Sequence, residues 1–121
     1  MYIIVGEEAA HEAADKYLVF ELDTIRYSES ADPIKSFCVI DNEHIPLTDI
    51  NRIEEFQDLH KNLINEYRKR NWNFCLQAIE HLKGKFRGEL DTFYDDLEKR
   101  CSVFQQFEPS QDWDGVLDKT E

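Results

Sequence analysis

A chain of 121 residues, 41% hydrophobic and 33% charged, has enough apolar content for one core and too little length for two of ordinary size. Its net charge of −12 argues against direct nucleic-acid binding, because phosphates are met by Lys and Arg gathered on one face. No apolar run approaches the roughly 20 residues that span a bilayer, so neither a membrane nor a nucleic acid is an expected partner.

The apolar start Met1 to Val5 is followed by Glu7 and Glu8 rather than a cleavage site, which predicts a cytoplasmic protein. Cys38, Cys75 and Cys101 are odd in number and widely spaced. That pattern suits neither a disulfide framework nor a zinc site, and predicts three reduced, mostly buried thiols. The charge is uneven: residues 1–46 sum to −7, residues 47–88 to +2 and residues 89–121 to −7.

Along the chain, Tyr2 to Val5 predicts a strand, Gly6 a turn, and the Ala-rich Glu7 to Lys16 a short helix. Leu18, Phe20, Leu22 and Thr24 alternate with Val19, Glu21, Asp23 and Ile25, the period of a half-buried strand. Ser28 to Pro33 is rich in turn formers, and Ile34 to Ile40 resumes a β-branched and aromatic run. A hairpin with the first strand beside it follows, which makes residues 1–46 the β-rich part.

Residues 47–106 change period. Thr48 or Asp49 is the expected N-cap of a long helix with Ile50, Ile53, Phe56, Leu59, Leu63, Ile64 and Tyr67 on one stripe. Arg68, Lys69 and Arg70 fall at its C-terminus, where cations favour the helix dipole. A second helix carries Trp72, Cys75, Leu76, Ile79 and Leu82, with Gly84 or Gly88 as stop signals. A third spans about Glu89 to Gln106, and short connections imply antiparallel neighbours. Residues 107–121 form an irregular tail, docked or flexible, with Trp113 as its large anchor.

The expected class is therefore α+β: a small antiparallel sheet with one short helix, then three helices. The expected core is Phe20, Leu22, Phe37, Val39, Ile53, Phe56, Leu63, Tyr67, Trp72, Ile79, Tyr94, Leu97 and Trp113, with the Tyr67 and Tyr94 hydroxyls at its rim.

Tyr67-Arg68, Trp72, Ala78, Asp91, Tyr94, Arg100-Cys101, Pro109 and Asp112-Trp113-Asp114-Gly115-Val116 resemble the tetratricopeptide-like region that follows the catalytic domain of many bacterial adenylate and guanylate cyclases. The resemblance covers residues 67–116 and implies a helical hairpin that binds or braces a protein. The cyclase domain itself is absent, so cyclic-nucleotide synthesis is not implied. The chain is also faintly similar to small uncharacterised proteins of tailed marine bacteriophages.

No catalytic machinery is visible in the spacing. His11, His44, His60 and His81 form no i, i+4 pair, and the four glycines make no phosphate loop. His60 beside Leu59 reads as a partly buried structural residue. Asp112-x-Asp114-Gly115 lacks the further oxygens of a calcium loop, and Asp91, Asp95 and Glu98 read as a solvated stripe. No cofactor and no metal are expected.

The expected function is a non-catalytic protein–protein interaction or regulatory accessory module, its partner another protein or a second copy of itself, with Trp113, Arg68, Lys69 and Arg70 as contact candidates. The alternative is an acidic nucleic-acid mimic that occupies a DNA- or RNA-binding enzyme. It requires Glu7, Glu8, Glu12, Asp95, Asp96 and Glu98 to line one face. A small enzyme would need His60 or His81 to converge with a carboxylate in a pocket.

Overall fold

The computed structural model describes residues 3–27, 32–41, 47 and 51–118. In chain order these hold β1 (Ile3–Val5), α1 (Glu7–Ala13), β2 (Leu18–Arg26), β3 (Ile34–Ile40), α2 (Ile53–Arg68), α3 (Trp72–Leu82), α4 (Asp91–Gln106) and β4 (Val116–Asp118). The expected N-cap of the long helix at Thr48 or Asp49, and Ile50 of its stripe, lie outside the described residues.

The sheet order is β1-β3-β2-β4. β3 pairs antiparallel with β1 and β2, but β4 runs parallel to β2, with Thr24 opposite Val116. The sheet is therefore mixed rather than antiparallel, within an α+β fold. The tail expected to be irregular supplies the parallel strand. A parallel pairing needs a crossover, and here the three helices of residues 53–106 provide it.

Between Glu21 and Thr24 the register slips, since three steps on β2 match the two from Phe37 to Lys35 on β3. This bulge brings the Asp23 carboxylate to the Arg100 guanidinium of α4, with both nitrogens within 2.9 Å of its oxygens. The Ser36 hydroxyl bonds the freed Asp23 carbonyl at 2.7 Å.

One sheet face meets the helical layer through Leu18, Phe20, Leu22, Cys38 and Ile40. The expectation that Phe37 and Val39 face this core is corrected. Phe20 is paired with Cys38, and residues opposite one another share a face, so a one-residue offset turns the β3 side chains over. Phe37 and Val39 lie half-buried on the other face. There α1 rests on β3 and β2 and buries Ala10 outside the main core.

On the helical side Phe56, His60, Leu63, Ile64 and Tyr67 of α2 interleave with Trp72, Cys75, Ala78, Ile79 and Leu82 of α3 and with Phe93, Tyr94, Leu97 and Cys101 of α4. Ile53 and Trp113 are only partly buried against this cluster. Between α3 and α4 the 3-10 turn Lys85–Gly88 drives Phe86 into the core, its ring 5.2 Å from Phe20 and 5.8 Å from Phe56.

Candidate functional site

The residues expected to meet a partner gather at the α2–α3 turn. Arg70 has φ of 67°, and the Asn71 N–H reaches back to the Glu66 carbonyl. This is the helix-ending geometry in which the left-handed residue is usually glycine. The guanidinium of Arg70 bonds the carbonyls of Pro109, Ser110 and Trp113, which offsets the strain and ties down the tail.

Arg68 bonds the Glu21 carboxylate and the Thr24 hydroxyl. Lys69 alone of the three is well exposed, 3.8 Å from Glu66. The basic turn expected to be outward therefore turns two of its three side chains into the protein. Trp113 is docked: its ring lies 5.3 Å from Tyr67, 5.5 Å from Trp72 and 5.5 Å from Phe104, with the Arg70 guanidinium over it. The indole N–H of Trp72 is buried and meets no oxygen or nitrogen acceptor among the described residues. Edge-on rings of Tyr67 and Trp113 surround that indole instead.

Asp114 spends one oxygen on the Val116 N–H and the other on Arg26, which holds its carboxyl below the usual range, the Val116 bond contributing most. Asp91 accepts from the Gly84 N–H, and Asp95 and Glu98 both grip Lys83. The carboxylate stripe thus fastens the α3–α4 connection.

A second site was not singled out by the sequence. β4 pairs with β2 from Thr24 onward, so among the described residues the half of β2 before the bulge has no strand on that side. A half-open cleft of about 280 Å³ lies there, lined by Val19, Phe20, Glu21 and Phe37 of the sheet and Gln57, Asp58, His60 and Lys61 of α2. That is at the small end for an enclosed small-molecule pocket.

His60 forms its inner wall. The ring is 2% exposed, more buried than expected. One nitrogen, Nε2, lies 2.5 Å from the Glu21 carbonyl and Nδ1 lies 2.8 Å from the Tyr94 hydroxyl. A carbonyl can only accept, so Nε2 carries the proton, and Nδ1 accepts from Tyr94. Burial pulls the His60 pKa down to about 4, against the bond to Glu21. The Tyr94 hydroxyl sits inside the core rather than at its rim, and burial raises its pKa.

This arrangement suits binding better than proton transfer. His60 converges with Glu21 and Asp58 on one cleft, but both ring nitrogens are already engaged. His81 is exposed beside Arg52, Glu55, Phe56 and Lys85, where Glu55 receives two bonds from Arg52. The thiols are buried. Cys38 is pushed up to about 12, chiefly by burial, and Cys75 is raised by its bond to Cys101 and by burial, so neither supplies a thiolate near neutrality. Among the described residues no group of His, Cys, Asp and Glu could hold a metal ion.

The acidic residues fall on two elements. Glu7, Glu8 and Glu12 belong to α1 on the outer sheet face, whereas Asp95, Asp96 and Glu98 belong to α4 in the helical layer. The sheet separates them. The β2 cleft combines a strand edge, apolar side chains and charged groups in one place. Compared with models of protein families, with curated proteins and with solved structures, the chain matches none.

Proposed function

We propose that this protein is a non-catalytic protein–protein interaction module whose partner binds in the cleft between α2 and the first half of β2. The observation that carries the reading is the strand edge at Leu18 to Leu22, which has no sheet neighbour on the cleft side among the described residues although the same strand is covered from Thr24 onward. Unpaired edges recruit further backbone, and a neighbouring helix turns such an edge into a groove. The likeness of residues 67–116 to a tetratricopeptide-like region supports a bracing role for the helical half.

The test is capture of proteins from a lysate of the source organism at two salt concentrations. The bait is the wild type or a double variant, Asp58→Lys with Lys61→Glu, whose two exposed positions leave the core untouched. A protein captured by the wild type and lost with the variant supports the module. Capture indifferent to the variant would sink the cleft. Capture of polymerases or nucleases that release steeply with salt would favour the nucleic-acid mimic instead.

A further inference from the structure

Resting on that reading, we infer that the occupant of the cleft is an extended, basic segment of a partner protein, added as a strand along Val19 to Glu21 with a Lys or Arg side chain against Asp58.

Main-chain accounting gives the strand. The Glu21 carbonyl accepts from His60 on α2, so residue 21 directs its main-chain groups away from β3. Strand groups alternate in direction, so Val19 shares the orientation of Glu21 while Leu18 and Phe20 face their β3 partners. The Val19 N–H and carbonyl and the Glu21 N–H therefore lie along the cleft. No loop or helix group bonds to them among the described residues. An extended segment satisfies all three, and the paired stretch is roughly 10 Å long at about 3.3 Å per residue.

The wall decides between a peptide and a second copy. α2 runs beside the edge and lines the cleft with Gln57, Asp58, His60 and Lys61. Two copies pairing β2 to β2 would bring each α2 against the other, whereas a single extended segment fits between one helix and one strand.

Charge decides the sequence. Glu21 is neutralised by Arg68, whereas Asp58, on the cleft wall with Lys61, makes no ion pair among the described residues. The Asp58 carboxylate, exposed on a chain of net charge −12, attracts a basic side chain and repels an acidic one. Val19 and Phe37, half-buried on the floor, call for apolar residues alternating with the basic one.

The experiment selects displayed random peptides on the full chain and measures synthetic winners by fluorescence polarisation. The expected winners carry Lys or Arg at a fixed position between alternating apolar residues. N-methylation of their amides should weaken binding about tenfold at alternate positions and leave the intervening ones unaffected. Asp58→Lys should weaken them about tenfold and, on fresh selection, abolish the basic preference. Val19→Pro removes an outward N–H without touching the β2–β3 ladder; should it fail to fold, the N-methyl series carries the same information.

Winners insensitive to N-methylation overturn strand addition, and winners indifferent to Asp58→Lys overturn the basic preference; both leave an interaction module standing. If no peptide is selected while a protein is still captured in a cleft-dependent way, the extended-peptide occupant alone is overturned. If neither occurs, the module falls with it.

Discussion

The two halves of β2 are built from the same alternation and end in opposite states. From Thr24 to Arg26 the strand is closed by β4 and fastened by Arg68 on Thr24 and by Arg26 on Asp114, under a tail held by Arg70 and Trp113. From Leu18 to Glu21 the outer edge faces the side chains of α2, and His60 bonds the Glu21 carbonyl. The lesson is that a sheet edge is managed locally. A bulge of one residue separates the half that the chain covers itself from the half it leaves available, and the covering is done by side chains 40 or more positions away in sequence.

The largest test of the closed half is Trp72→Ala. The indole is 6% exposed and touches Tyr67, Phe104 and Trp113, so its loss should cost about 3–5 kcal/mol by urea unfolding. A cost well below 1 kcal/mol would mean that the tail does not depend on this aromatic group.

Acid tests the open half. His60 titrates near 6.5 when exposed and near 4 in the fold, so on acidification the unfolded chain binds its proton first. Stability should therefore fall as pH drops from about 6.5 toward 4, by about 3 kcal/mol in all. In His60→Gln, which can still donate to the Glu21 carbonyl, this part of the dependence should vanish. Parallel stability curves for the two proteins would refute the assignment of that loss to His60.

How much of this was legible in the sequence follows the range of the interactions. The strands of residues 18–26 and 34–40 and the helices after residue 53 are local patterns, and their periods announce them. The register is not local. Phe37 and Val39 look as apolar as Cys38 and Ile40, and only pairing with Phe20 decides which pair is buried. β4 offered two apolar residues, too few to signal a strand, and Phe86 sits between glycines with no periodic neighbours. At the candidate site the residue types misled. Arg68 and Arg70 resemble a solvated basic turn, yet their partners are Glu21, Thr24 and the tail carbonyls. The cleft is defined by where β4 starts to pair with β2, which no residue type records.

Trp113→Ala should sharpen the comparison without dissolving it. The ring is partly buried, so a cost of about 2 kcal/mol is expected, less than for Trp72. Hydrogen exchange should rise at Thr24 to Arg26 and stay unchanged at Leu18 to Leu22. Equal acceleration along the whole strand would show that the two halves are one cooperative unit.

The smallest change acts on the join between tail and turn. Gly115 has φ of +83°, and a Cβ there would stand 3.0 Å from the Arg68 Cγ. An L-residue pays about 1–2 kcal/mol for that backbone region. Arg68 cannot simply swing aside, because its guanidinium is held by Glu21 and Thr24. Gly115→Ala should thus lower stability by about 1–2 kcal/mol, and repeating it in an Arg68→Ala background, which removes the Cγ that the new Cβ would meet, should separate the two causes. If the cost is the same in both backgrounds, backbone strain is the whole effect. If it shrinks in the Arg68→Ala background, close packing of the turn against Arg68 is what requires glycine, and the closure of the second half of β2 depends on an arginine that also holds Glu21 in the first.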